Sequence, residues 1–120
     1  MDSTKEQTKP TPEACGGFIL PIRDALDVIS GKWKLPIIAS LMFGNKRFKQ
    51  ISKELHGITD KMLSKELKDL EANQLIKRTV YDSYPPVVEY SITEHGKSLA
   101  KVLLELKNWG SKHRQKIMGR

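Results

Sequence analysis

The sequence predicts an α+β fold, mostly helical: two short helices joined by a tight turn, a β-hairpin directly after them, and a further helix towards each end. Three observations predict it. Apolar residues recur at helical spacing through most of the chain, two such segments meet at His56-Gly57-Ile58, and two runs rich in β-branched and aromatic residues flank Asp82-Ser83-Tyr84-Pro85-Pro86. A chain of 120 residues and 13.7 kDa holds one core and not two. The domain is accordingly assigned to residues 18–120.

Residues 1–17 carry almost no large apolar side chain and end in Gly16-Gly17, so they are read as a mobile tail. From Pro21 the pattern changes. Ile22, Ala25, Leu26 and Ile29 fall on one face of a short first helix, and Gly31 suits a left-handed cap at its end. A second helix is expected from about Trp33 to Met42. Pro36 fits its first turn, which has no backbone donor to lose, and Gly44-Asn45 stops it. This helix is apolar nearly all round and belongs in the centre.

Phe48, Ile51 and Leu55 give a third helix one buried stripe. Thr59 is a good N-cap for a fourth, Asp60 to Asn73, with Asp60 near the positive end of its dipole. The segments Leu75–Tyr81 and Val87–Ile92 form the hairpin, with a tip stiffened by the two prolines. Thr93 then caps a last helix from Glu94 to about Met118, whose apolar side holds Leu99, Val102, Leu103, Leu106 and Trp109. So long an apolar stripe exceeds what one small domain covers. It is expected to meet the first helix, through Ile22 and Leu26, and the same elements of a second copy.

Two short helices on a glycine turn followed by a hairpin describe a winged helix-turn-helix. Successive residues of the fourth helix stand 100° apart, so Leu63, Leu67 and Leu70 gather on one side and Lys61, Lys65 and Lys68 nearly opposite. Any amphipathic surface helix has lysines on its wet face. The hairpin that follows is what points to DNA, because in such folds the first turns of the second helix meet base edges in the major groove. Thr59, Lys61, Ser64, Lys65 and Lys68 are the candidates there, joined by Arg47 and Lys49 near the third helix and Arg78 at the base of the hairpin.

A net charge of +7 and a pI of about 9.6 favour a polyanionic partner such as duplex DNA. The excess charge lies mainly in the last helix, and residues 59–93 are close to neutral. The hairpin tip has no basic residue. Catalysis has little to stand on: His56, His95 and His113 are scattered, no Gly-rich phosphate loop occurs, and Glu54, Glu66, Glu71 and Glu89 read as surface charges. No catalytic residue, cofactor or metal is expected. One cysteine, Cys15, excludes an intrachain disulfide and is the single candidate for redox chemistry. The longest apolar stretch, Leu35 to Phe43, falls short of the roughly twenty residues that cross a bilayer. The first residues show no leader, so no membrane contact and a cytoplasmic location are expected.

Several strings, in this order, carry a specific likeness: Ala25-Leu-Asp-Val-Ile-Ser-Gly-Lys-Trp-Lys34, Arg47-Phe48, Gly57-Ile-Thr-Asp-Lys-Met-Leu63, Leu67-Lys-Asp-Leu-Glu71, Leu75-Ile-Lys-Arg-Thr-Val-Tyr81 and Pro85-Pro-Val-Val-Glu-Tyr-Ser-Ile-Thr93. Over about residues 18–112 the chain resembles the HxlR-type winged helix-turn-helix transcriptional regulators, relatives of the MarR group. The resemblance implies a homodimeric DNA-binding regulator whose first and last helices form the dimer contact, with the helix starting at Thr59 in the major groove. Two departures stand out. Many members of that family carry a redox-active cysteine directly before the proline that opens the first helix, where this chain has Leu20, and a basic residue after the paired prolines, where it has Val87. The alternative reading is a winged-helix protein-interaction module without DNA binding, which the neutral tip and Asp60 would suit. Neither reading names an operator sequence or an effector.

Overall fold

The structure, a computed structural model, describes residues 12–120. The chain divides after Ser30 into a first unit that holds one helix and a second, residues 31–120, that holds every other element.

The first unit's helix, α1, spans Pro12–Ile29. It starts well before Pro21, so residues 12–17 of the expected tail are helical and Cys15 sits inside a helix, half-buried. Residues 1–11 of that tail lie outside the described residues. Gly16 and Gly17 conceal the helix in the sequence, since each costs about 1 kcal/mol against alanine. Gly31 takes the expected left-handed conformation, φ +101°.

In the second unit α2 (Lys34–Met42) lies at the centre, as its all-round apolar sequence requires. Ile37, Ile38 and Leu41 are fully buried. Around them pack Ile51 of α3 (Phe48–Glu54), Leu63, Leu67 and Leu70 of α4 (Asp60–Ala72), and Leu75 and Ile76 where the chain enters the hairpin. Each such side chain contributes about 1.5–3 kcal/mol relative to exposure.

The hairpin pairs β1 (Ile76–Tyr81) with β2 (Val87–Ile92) antiparallel, from Ile76 opposite Ile92 to Tyr81 opposite Val87. Lys46, in the link between α2 and α3, adds one more rung. Its N–H donates to the Tyr90 carbonyl at 3.0 Å and its carbonyl accepts from the Tyr90 N–H at 2.7 Å. The wing is thereby fastened to the segment that leads into the helix pair.

The expected single last helix is two: α5 (Glu94–Lys97) and α6 (Ala100–Met118). Thr93 does cap the first, its hydroxyl accepting from the Gly96 N–H at 2.9 Å while donating to the carbonyls of Gln74 and Leu75. That bonding pins α5 to the start of β1, and Gly96 packs so closely there that a Cβ would stand 2.2 Å from the Leu75 carbonyl oxygen. Ser98 and Leu99 then tighten to i→i+3 bonds, and the Ser98 hydroxyl donates to the His95 carbonyl, which breaks the α-helical ladder. From there α6 runs on with no fully buried residue.

Candidate nucleic-acid interface

The turn between α3 and α4 is built by backbone chemistry. Leu55 ends α3 with its N–H on the Ile51 carbonyl, Gly57 follows at φ +94°, and the Ile58 N–H returns to Leu55. Trp33 lies against Gly57 from the side, 4.0 Å from where a Cβ would stand. Thr59 caps α4 as expected. Its Oγ1 accepts from the Met62 N–H at 3.1 Å, which leaves the hydroxyl hydrogen to donate outward. Arg47 heads α3, where its N–H donates to the Gln50 side-chain oxygen at 2.8 Å.

Of the candidate DNA-contacting residues, Lys61, Ser64, Lys65 and Lys68 share one open hollow along the outer face of α4, with Asp69 on its edge. Arg47 and Lys49 share a second, with Phe48, Gln50 and Val88 of the wing. Lys49 lies 4.0 Å from Asp60, the acidic residue at the head of α4, with both side chains exposed. Thr59 and Arg78 are exposed and line neither hollow, Arg78 lying opposite Tyr90 in the hairpin. This is a surface of ammonium, guanidinium and hydroxyl donors, the set that contacts phosphate and guanine. Among the described residues no group of His, Cys, Asp and Glu side chains is arranged to hold a metal, and no helix is long and apolar enough to cross a membrane.

One of the acidic residues read as surface charges, Glu66, is buried, and another, Glu54, is exposed as expected but is tied into an ion-pair knot. Glu66 is buried and accepts from Lys34 Nζ at 2.5 Å, with the two side chains only 9% and 13% exposed. Lys34 also lies 3.4 Å from Asp69, which in turn pairs with Lys65 at 3.1 Å. The bond to Glu66 holds the Lys34 ammonium above the ordinary lysine range, against the opposing pull of burial, and the bond from Lys65 chiefly holds the Asp69 carboxyl down. Glu54 forms a second knot: it accepts from Lys46 at 2.7 and 2.8 Å and from the Ser40 hydroxyl at 2.5 Å, and these bonds, Lys46 first, hold its carboxyl below the usual range. At the wing the Tyr81 hydroxyl donates to Glu89 at 2.9 Å, a bond that raises the Tyr81 pKa.

Sequence reasoning missed Lys34, Lys46 and the inward role of Glu66. For Glu66 the signal was present, because Leu63, Glu66, Leu67 and Leu70 follow the i, i+3, i+4, i+7 spacing of a buried stripe. Lys34 showed as a charge heading an otherwise apolar helix. Lys46 gave none, since its role rests on a backbone bridge to a residue far along the chain.

The residues expected at a dimer contact are apolar and incompletely covered. Ile22 and Leu26 of α1 are 45% and 49% exposed, Leu99 and Leu103 are half-buried, and Leu106 and Trp109 of α6 are 48% and 66% exposed. Trp109 stacks on His113 at 4.8 Å between ring centres. An apolar hollow lies between α2 and α6, lined by residues including Leu35, Met42, Leu103 and Leu106.

The model of the HxlR-like helix-turn-helix family matches residues 28–118. The chain is 43% identical over 97 residues to YdeP, an HTH-type transcriptional regulator of Bacillus subtilis (strain 168), covering 81% of this chain and 76% of that one. To YybR, an HTH-type transcriptional regulator of the same strain, it is 39% identical over 112 residues, covering 93% and 86%. Among solved structures, the redox regulator HypR in its reduced form matches with a TM-score of 0.78 at 39% identity, over 83% of this chain and 99% of that one.

Proposed function

Because the chain belongs to the HxlR-like helix-turn-helix family of transcriptional regulators, we propose that it acts as a homodimer on an inverted-repeat operator, with α4 in the major groove. The observation that carries this reading is the two-sidedness of α4. Its inner face is buried, and its outer face offers Lys61, Ser64, Lys65 and Lys68 in one open hollow. Lysines at the hollow neutralise phosphate, and Thr59, Lys61 and Ser64, in the first turns, are placed to read base edges. Arg47 and Lys49 contact the backbone beside the wing strand, and Arg78 approaches it from the base of the hairpin. The tip, without a basic residue, adds no phosphate contact. The exposed apolar residues of α1 and α6 meet their counterparts across a two-fold axis, which sets two copies of α4 about 34 Å apart, one turn of DNA.

The test is a titration of selected operator DNA at several salt concentrations. About four phosphate contacts on each of two subunits give a log-log slope of affinity against salt near −7. Lys65→Ala or Lys68→Ala weakens binding to all sequences and flattens the slope, whereas changes at Thr59, Lys61 or Ser64 also shift sequence preference. Binding that is absent at low salt, or indifferent to salt, refutes the reading in favour of a protein-interaction module.

HypR is described as a redox regulator and has been solved in oxidised and reduced forms. In the present chain the only thiol is Cys15, so any disulfide it forms is to another molecule. The sequence places Cys15 in a mobile tail, whereas it lies half-buried within α1.

A further inference from the structure

The buried face of α4 carries a charge among its leucines, and so does the head of the central helix. Glu66 fills a core position between Leu63 and Leu70. Lys34 is the first residue of α2, where the helix dipole disfavours an ammonium and where α2 supplies no acidic neighbour. Each residue opposes its local preference, and the two compensate each other at 2.5 Å.

We propose that Lys34 is a positioning residue for DNA readout: its pair with Glu66 fixes the rotation and axial register of α4 against α2, and its contact with Asp69 sets the direction of Lys65. The proposal rests on α4 being the readout helix. Leucine contacts are non-directional, so a helix held by them alone can turn or slide with modest repacking. An ion pair with one partner on each helix is satisfied at one register, and a slip leaves a buried charge uncompensated. Apolar residues of similar size would serve stability as well or better, so what the pair contributes is uniqueness of position. From it the alternating charges Glu66, Lys34, Asp69 and Lys65 lead from the core to the outer face of α4. Base contacts depend on that position, whereas flexible lysines find phosphates from a range of positions.

The experiment compares affinity for a selected operator with affinity for a scrambled duplex of equal length, in the wild type and in Lys34→Met/Glu66→Met. The double variant is expected to keep its melting temperature, its affinity for scrambled DNA and its salt slope. Its discrimination between the two duplexes falls about tenfold, the size of one lost base contact. Unchanged discrimination overturns the proposal, as does a variant that loses stability and both affinities in parallel. Should the double variant not fold, Glu66→Gln and Lys34→Arg decide: the first loses discrimination and the second keeps it, and equal ratios overturn the proposal. A wild type that binds no duplex, or all alike, overturns the reading of α4 itself, a result distinct from a discriminating wild type with equally discriminating variants.

Discussion

Gly96 stands where two backbone segments leave no room for a side chain. A Cβ there would meet the Leu75 carbonyl oxygen at 2.2 Å and Ile92 Cγ1 at 2.7 Å, and the carbonyl is fixed because it accepts from both the amide and the hydroxyl of Thr93. Gly96→Ala is therefore expected to cost at least about 2 kcal/mol in urea unfolding. A loss below about 0.5 kcal/mol would mean that α5 backs away freely. Glu54 gives a residue-scale prediction in pH. Its folded pKa is depressed, first by Lys46 and then by Ser40, so its stabilisation is complete above the unfolded carboxylate value and is lost as pH falls through the folded one. Melting temperatures of wild type and Glu54→Gln should differ at neutral pH and converge below about pH 4. An offset that persists into acid would show that packing, and not ionisation, separates them.

At the scale of elements, α6 is the one whose surroundings in the chain least explain its sequence. Its apolar residues Leu104, Leu106 and Trp109 are more than 45% exposed, in a helix with no fully buried residue. Leu106→Asp is expected to shift the sedimenting species from dimer to monomer at micromolar concentration and to weaken operator binding. An unchanged mass and affinity would place this stripe in the monomer's own economy. Elements were legible where period and punctuation agreed: Phe48–Glu54, Asp60–Ala72 and both strands lie within two residues of their sequence reading. The start of α1 was hidden because glycine and proline lower helix propensity without forbidding a helix. The break before Ala100 was hidden because it comes from i→i+3 bonds at Ser98 and Leu99 and from the Ser98 hydroxyl on the His95 carbonyl, which the helical spacing of apolar residues does not report. The outward face of α4 could be read from the 100° step alone, but the lysines of the two ion-pair knots could not, since their partners lie on other elements.

For the molecule as a whole, charge and fold are divided between different residues. The net charge of +7 resides mostly in α6 and around α3, while in α4 Asp69 pairs with Lys65 and Glu66 with Lys34 of α2. In α4 the side chains that hold the fold, Leu63, Glu66, Leu67 and Leu70, share no position with those offered outward, Lys61, Ser64, Lys65 and Lys68. Apart from Lys65, which is tied to the core pair through Asp69, the outward set can therefore change without disturbing the inner one. A gene duplicate can rewrite its outward set and acquire a new target while its core and pairing surfaces stay intact, and a laboratory can graft another relative's outward set onto this scaffold without repacking it. Mutational drift in such a helix is steered by genome sequence on one side and by thermodynamics on the other, which makes a lineage of regulators inexpensive to diversify.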